Sequence, residues 1–190
     1  MPRWLKNRFV WFFLFGLLLA VPLALFQMFD PRDVLYVASP PEVVDKMLEM
    51  ADIRPGDVVY DLGCGDGRIP VAAAKRYGVK AFGFDIDPVR VQESIENAEK
   101  DRVQHLVTIR EANIFELDLS EADVVMLYLS RKVNVKLIPQ LEKLKPGSRI
   151  VSHDYDIPGI RAQKMVTVQP ESGRERDVYL WLTPLERDAN

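Results

Sequence analysis

Residues Val58 to Gly67, Val-Val-Tyr-Asp-Leu-Gly-Cys-Gly-Asp-Gly, constrain this chain more than any other stretch. An apolar run ends in an acid, three glycines recur at every second position, and a helical pattern starts at Arg68. A buried strand that delivers the chain into a glycine turn at a helix start is how open α/β sheets build a ligand site beyond the strand's carboxyl end. The flanking pattern fits such a sheet. Helix is expected from about Arg68 to Tyr77, with Pro70 tolerated in the first turn and Gly78 as the stop. Strand is expected from Lys80 to Phe84, and Asp85 stands eighteen residues beyond Gly67.

The glycine spacing excludes one ligand class and favours another. Dinucleotide sites usually space their glycines G-x-G-x-x-G, so that a pyrophosphate rests on the helix N-terminus. Here Gly63, Gly65 and Gly67 are spaced G-x-G-x-G, Asp61 precedes them and Asp66 lies among them. Two carboxylates repel a pyrophosphate. They suit a ligand bearing an ammonium and a sulfonium and no phosphate, which describes S-adenosylmethionine (SAM). In these residues the sequence resembles motif I of the class I SAM-dependent methyltransferases. The resemblance implies a Rossmann-like, mostly parallel seven-stranded sheet closed by a C-terminal antiparallel hairpin. Cofactor-binding roles are expected for Asp61, Gly63, Cys64, Gly65 and Gly67, with Cys64 read as a small turn residue and not as a nucleophile. Asp85 is the expected ribose ligand, because one carboxylate accepts both hydroxyls of a diol, and Ile86 follows it in the same site.

Further along, Asp87 is expected to cap a helix from Pro88, and Val107 to Arg110 forms a third strand. The loop Glu111-Ala112-Asn113-Ile114-Phe115 occupies the place where the family carries an adenine-binding acid. Asn113 is the expected acceptor from the adenine amino group and Ile114 the ring contact. Ala122 to Leu129 is read as the fourth strand. Many amine-methylating relatives continue there with N/D-P-P-Y/F; this chain has Tyr128-Leu129-Ser130, which makes Tyr128 a candidate aromatic wall or hydrogen-bond partner for the acceptor. A helix over Val133 to Leu144 and a strand over Arg149 to Ser152 lead to His153 and Asp154 at a strand tip, where His153 is a candidate proton acceptor. Lys164 to Gln169 and Val178 to Thr183 form the closing hairpin.

Charge and hydropathy divide the chain at its start. From Phe9 to Phe29 there is no charged residue and one strongly polar side chain, Gln27. At 1.5 Å rise per residue such a helix spans about 31 Å, close to the ~30 Å hydrocarbon core of a bilayer. Residues 1–29 are therefore expected to be a membrane anchor, 30–41 a proline-punctuated linker and 42–190 the SAM-binding domain. In the linker, Ser39 is expected to cap a helix that has Pro40 and Pro41 in its first turn, and Tyr36 and Ser39 are candidate lid residues over the methionine end of the cofactor. Basic residues Arg3, Lys6 and Arg8 before the apolar run would put the domain outside the cell. SAM is kept inside, and that requirement outweighs a bias carried by a tail of about eight residues; the domain is expected on the cytoplasmic side. Setting those three aside leaves 22 bases against 28 acids, so the remainder carries about −6. An acidic domain is a poor match for a phosphate backbone. No nucleic-acid partner and no metal are expected. The lone cysteine rules out an intrachain disulfide.

From Tyr36 to the final strands the chain also resembles the small lysine methyltransferases that modify the ATP synthase c subunit and the adenine nucleotide translocase, together with short prokaryotic relatives. The resemblance rests on the apolar N-terminus, the Tyr36 to Pro41 linker, Asp61 to Arg68, the Asn113-Ile-Phe loop and Pro139-Gln-Leu-Glu-Lys-Leu with the following Pro-Gly-Ser-Arg-Ile-Val. It implies methylation of a lysine in a membrane protein by in-line displacement. Methylation of a lipid or small-molecule amine or hydroxyl, a non-catalytic SAM-binding module and a nicotinamide oxidoreductase are the alternatives, the last disfavoured by the glycine spacing.

Overall fold

The computed structural model describes residues 36–171 and 173–188; the expected membrane anchor lies outside them. Among the described residues no helix is long and apolar enough to cross a membrane. The elements in chain order are α1 (Pro41–Met50), β1 (Val58–Leu62), α2 (Arg68–Tyr77), β2 (Lys80–Asp85), α3 (Pro88–Lys100), β3 (Val107–Glu111), a 3₁₀ turn (Ile114–Glu116), β4 (Val124–Leu127), α4 (Arg131–Leu141), β5 (Arg149–His153), β6 (Lys164–Val168) and β7 (Arg176–Leu182). They build one seven-stranded sheet in the order β3-β2-β1-β4-β5-β7-β6. β1 to β5 run parallel, and β7 pairs antiparallel with both β5 and β6.

Alternation along the strands sends side chains to two separate cores. Val59, Val124, Met126, Val151 and Val178 pack with α1, α2 and α3 on one face. Tyr60, Leu62, Val125, Leu127, Ile150 and Trp181 pack with Leu137, Ile138 and Leu141 of α4 on the other. A sheet covered on both faces needs apolar residues at consecutive positions, which explains the unbroken runs of β1 and β4. Trp181 is fully buried and donates its indole N–H to Ile160 O at 3.2 Å. Below the sheet, buried Arg149 of β5 donates to Ala51 O at 3.0 Å and pairs with Asp57, tying the turn before β1 to the centre of the sheet.

Two local expectations are corrected. The β4 ladder ends at Leu127, two residues before the expected Leu129, so Tyr128 is the first residue beyond the sheet. Helix α1 starts at Pro41 with Pro40 as its N-cap and no side-chain capping bond. Ser39 is not the cap because its hydroxyl is bonded elsewhere, to His153. Asp87 does cap α3, accepting from Val89 N at 2.9 Å.

Candidate active site

Strand order reverses between β1 and β4, and the groups singled out in the sequence collect at the carboxyl ends of the strands around that point. The glycine turn leaves β1 with its backbone already committed. Gly63 N and Cys64 N both donate to Phe84 O, at 2.8 and 3.0 Å; Gly67 N donates to Cys64 O at 2.9 Å and Gly65 N to Asp85 Oδ2 at 2.8 Å. The first N–H of α2, Arg68 N, donates to Asp66 Oδ1 at 3.2 Å. The N–H groups of Gly63, Cys64, Gly65, Gly67 and Arg68 are thus engaged within the protein and are not offered to a pyrophosphate. Its carbonyls are fixed as well, with Ser94 Oγ donating to Gly65 O at 2.7 Å and Asn97 Nδ2 to Asp66 O at 2.9 Å.

The turn needs glycine for space as well as for backbone angle. Gly65 has φ +56°, and a Cβ there would stand 2.2 Å from Cε2 of Tyr36, whose ring lies against the turn. The Arg90 guanidinium lies over that ring, 4.8 Å from its centroid. A Cβ on Gly63 would meet Leu129 at 2.8 Å. Cys64 points beneath the turn, where its Sγ would be 2.9 Å from a Cβ on Gly83. Burial and nearby Asp61 push its thiol well above the ordinary range, so it stays protonated and inert.

Asp61 carries the clearest ligand signal. It is 2% exposed, its Oδ2 has no hydrogen-bond partner, and burial with Asp85 and Asp66 close by raises its carboxyl well above the usual range. A buried carboxylate of this kind calls for a cation. Among the described residues no group of three or more His, Cys, Asp or Glu is placed to hold a metal ion. The ammonium and sulfonium of SAM fit the deficit, and the absence of phosphate fits the engaged turn. Asp85 lies at the tip of β2, accepting from Gly65 N and from Asp87 N at 3.0 Å, and each of its oxygens retains a lone pair for a diol. Ile86 follows it. Asn113 caps the 3₁₀ turn, accepting from Phe115 N at 3.2 Å and donating to Glu116 Oε1 at 2.8 Å, with Ile114 the first residue of that turn. Its amide oxygen therefore meets an adenine only through its second lone pair.

The other half of the site is aromatic. His153 is fully buried, and its ring stacks on Tyr128 with centroids 3.8 Å apart and planes 25° apart. Tyr155 stacks beyond Tyr128 at 6.2 Å. Burial outweighs the attraction of Asp154 and lowers His153 to about 4, so the imidazole is neutral near pH 7. Asp154 sits at φ +62°, which lets Tyr155 N bond back to His153 O at 2.8 Å in a tight turn. Arg174 and Arg176 hold its Oδ2 at 2.6 and 2.5 Å, and Arg176 Nη1 also lies 3.4 Å from the Tyr128 hydroxyl oxygen.

Four contributors were not legible beforehand. Arg68 clamps Asp66 through Nε at 2.9 Å and Nη2 at 2.5 Å, and donates through Nη1 to Ser39 O at 2.7 Å. These bonds overcome burial to keep Asp66 below the ordinary carboxylate range. Fully buried Asn134 of α4 holds the β5 tip, donating to Tyr155 O and Asp156 O at 3.2 and 3.1 Å. Ser94 and Asn97, three apart on α3, support the turn; that spacing on one side of a helix was the only advance signal.

Known proteins share this architecture. Residues 61–164 match the family described as the ANTKMT methyltransferase domain. A protein-lysine N-methyltransferase of Saccharolobus islandicus (strain REY15A) is 45% identical over 151 residues, which is 78% of this chain and 93% of that protein. The crystal structure of an RNA methyltransferase from Salinibacter ruber in complex with S-adenosyl-L-homocysteine is 44% identical, with a TM-score of 0.73 over 81% of this chain and 98% of that one. The ribosomal protein L11 methyltransferase of Geobacillus kaustophilus (strain HTA426) is 32% identical over 101 residues, covering 53% of this chain and 32% of that longer protein. With the cation-seeking site described above, these likenesses set aside the non-catalytic and nicotinamide alternatives: the chain belongs to the ANTKMT methyltransferase family and is a SAM-dependent methyltransferase.

Proposed function

We propose that the enzyme methylates the side-chain amine of a lysine in a membrane-associated protein, and that residues 9–29 tether it to the membrane with the domain on the cytoplasmic side. The observation that carries the acceptor reading is the uncharged aromatic wall formed by His153, Tyr128 and Tyr155 beside the glycine turn. A lysine must lose its proton before it can attack, and apolar surroundings favour the neutral amine. The neutral His153 adds no charge that would repel it, and the Tyr128 oxygen offers a lone pair to an amine N–H. When bound, SAM supplies the electrophilic methyl group. The protein aligns the amine with it and excludes water, so proximity provides much of the acceleration. The name of the S. islandicus relative supports lysine as the acceptor. The apolar run from Phe9 to Phe29 supports the tether.

The name of the S. ruber relative favours a second reading, in which the acceptor is RNA. The net charge of about −6 over residues 30–190 speaks against it, because nucleic-acid binding rests on neutralising phosphates. The test is incubation of the full chain with methyl-tritiated SAM and a whole-cell membrane fraction, RNA and lipid extract. Label is expected in membrane protein and, after acid hydrolysis, in methylated lysine. Label confined to RNA or to lipid overturns the assignment. Protease protection on sealed vesicles tests the orientation; a domain shielded on the lumenal side overturns that part.

A further inference from the structure

Tyr36 to Pro40 form a short strap across the carboxyl edge of the sheet, held at three places. The Tyr36 ring rests on Gly65 of the glycine turn. The Ser39 carbonyl accepts from Arg68 Nη1 at 2.7 Å. The Ser39 hydroxyl, in a residue 4% exposed, lies 2.8 Å from Nδ1 of His153, which is 114 positions away in sequence. The first two contacts are to the cofactor half of the site. The third is to the aromatic wall on the acceptor side, through the ring on which Tyr128 stacks.

The hydrogen-bonding geometry assigns the proton on His153. Its Nε2 has no hydrogen-bond partner and faces Asp154 Oδ1 at 3.7 Å. A bare lone pair on Nε2 would point at a carboxylate, whereas an N–H there is attracted to it. The favoured tautomer therefore carries its proton on Nε2, and Nδ1 accepts from the Ser39 hydroxyl. In this tautomer the single basic nitrogen of the ring is already occupied by Ser39.

We propose that His153 and Ser39 are positioning residues: their hydrogen bond latches the Tyr36–Pro40 strap over the cofactor and couples closure of the strap to the placement of Tyr128 in the acceptor wall. The inference rests on the methyltransferase reading of the site and gives His153 a role other than proton acceptor. When the latch is closed, Tyr36 is held against the turn. When it is broken, Arg68 alone secures the strap at Ser39, and the cofactor escapes faster.

The test uses the full chain in detergent micelles and reads binding and release of S-adenosylhomocysteine, with no acceptor present. Ser39→Ala and His153→Leu each remove one side of the hydrogen bond; His153→Asn keeps a polar group near the Nδ1 position. Loss of one buried hydrogen bond is expected to weaken binding about tenfold, mainly through faster dissociation, and the double variant Ser39→Ala/His153→Leu is expected to be no weaker than either single one. His153→Asn is expected to recover most of the lost affinity. In turnover, the KM for SAM is expected to rise in Ser39→Ala more than kcat falls. Unchanged dissociation in Ser39→Ala, or losses that add in the double variant, overturn the latch. If one of the two single variants does not fold, the other decides: with an unchanged melting curve it must release S-adenosylhomocysteine faster than the wild type, and release at the wild-type rate overturns the latch. No binding by the folded wild type would refute the cofactor assignment, an outcome separate from failure of the latch.

Discussion

Replacing Asp61 by asparagine should raise stability and destroy cofactor affinity together. The carboxyl is 2% exposed, its Oδ2 lacks a partner, and burial followed by Asp85 and Asp66 raises its pKa well above the usual value. For an acid raised in this way the folded protein binds more protons than the unfolded chain. Its contribution is fully present below the unfolded pKa of about 3.9 and is lost as pH rises through the folded pKa, after which the ionised group is a constant burden. Asparagine removes the charge at nearly the same volume. Relief of an uncompensated buried charge is worth about 3 kcal/mol, and an amide left short of partners costs about 2 kcal/mol. A net gain of about 1 kcal/mol at pH 8 moves the melting temperature up by about 2–4 °C for a domain of this size. Against that, the hydrogen bond from a cationic ligand to a carboxylate is worth about 1.5–3 kcal/mol, so SAM affinity should fall about 10- to 150-fold. Calorimetry adds a sharper readout. Wherever Asp61 is protonated in the free enzyme, SAM binding must expel the proton, so the apparent enthalpy depends on the ionisation heat of the buffer, and affinity rises with pH until the group is ionised. Asp61→Asn should abolish both dependences. A variant that melts lower and binds SAM as the wild type does would refute the argument that this carboxylate is held for a cation.

Gly65→Ala should lose about 1–2 kcal/mol through its left-handed backbone alone, and more through eviction of the Tyr36 ring; thermal melts and a raised KM for SAM check it. Since burial lowers His153 to about 4 from the ordinary 6.5, the folded protein binds fewer protons than the unfolded chain between those values. Stability should therefore be complete above pH 6.5 and fall by up to about 3 kcal/mol as pH drops towards 4, a limb that His153→Asn should flatten in acid titrations followed by circular dichroism. Asp57→Ala should strand buried Arg149 and cost about 3 kcal/mol in urea unfolding with SAM affinity nearly unchanged, because the pair lies at the opposite end of the strands from the site.

The parts of this protein legible from sequence are those encoded by neighbours along the chain. The apolar runs Val58 to Asp61 and Ala122 to Leu129 read as buried strands, the second ending earlier than expected, because both faces of the sheet are covered; Gly63 to Gly67 announced the turn, and Asp87 with Pro88 announced a helix start. The closing hairpin was readable from two apolar runs around a polar loop. Illegible were choices between local and distant partners. Ser39 before two prolines has every mark of an N-cap, yet its hydroxyl is bonded to a histidine that only the fold brings near. Asn113, expected as the adenine acceptor, keeps one lone pair for that role, but nothing local showed that its amide would also bond Phe115 N and Glu116 within its own turn. Arg68 was read only as the first residue of a helix, and nothing local showed that it would bind both the glycine turn and the strap. Asn134, one polar residue on the apolar side of α4, gave no sign that its partners were backbone carbonyls at the end of β5.

The position of β7 has a consequence for how the molecule is made. β7 follows β5 and β6 in the chain yet lies between them, so until β7 has been made β5 presents an open edge and β6 has no strand partner. Such an edge invites pairing with other chains until the final segment arrives to fill the gap. Removing the residues from Arg176 onward would therefore strip β6 of its strand partner and leave β5, which ends at His153, paired only with β4, instead of shortening a free end. A strand far along the chain from the glycine turn is thus what completes the acceptor side during biosynthesis.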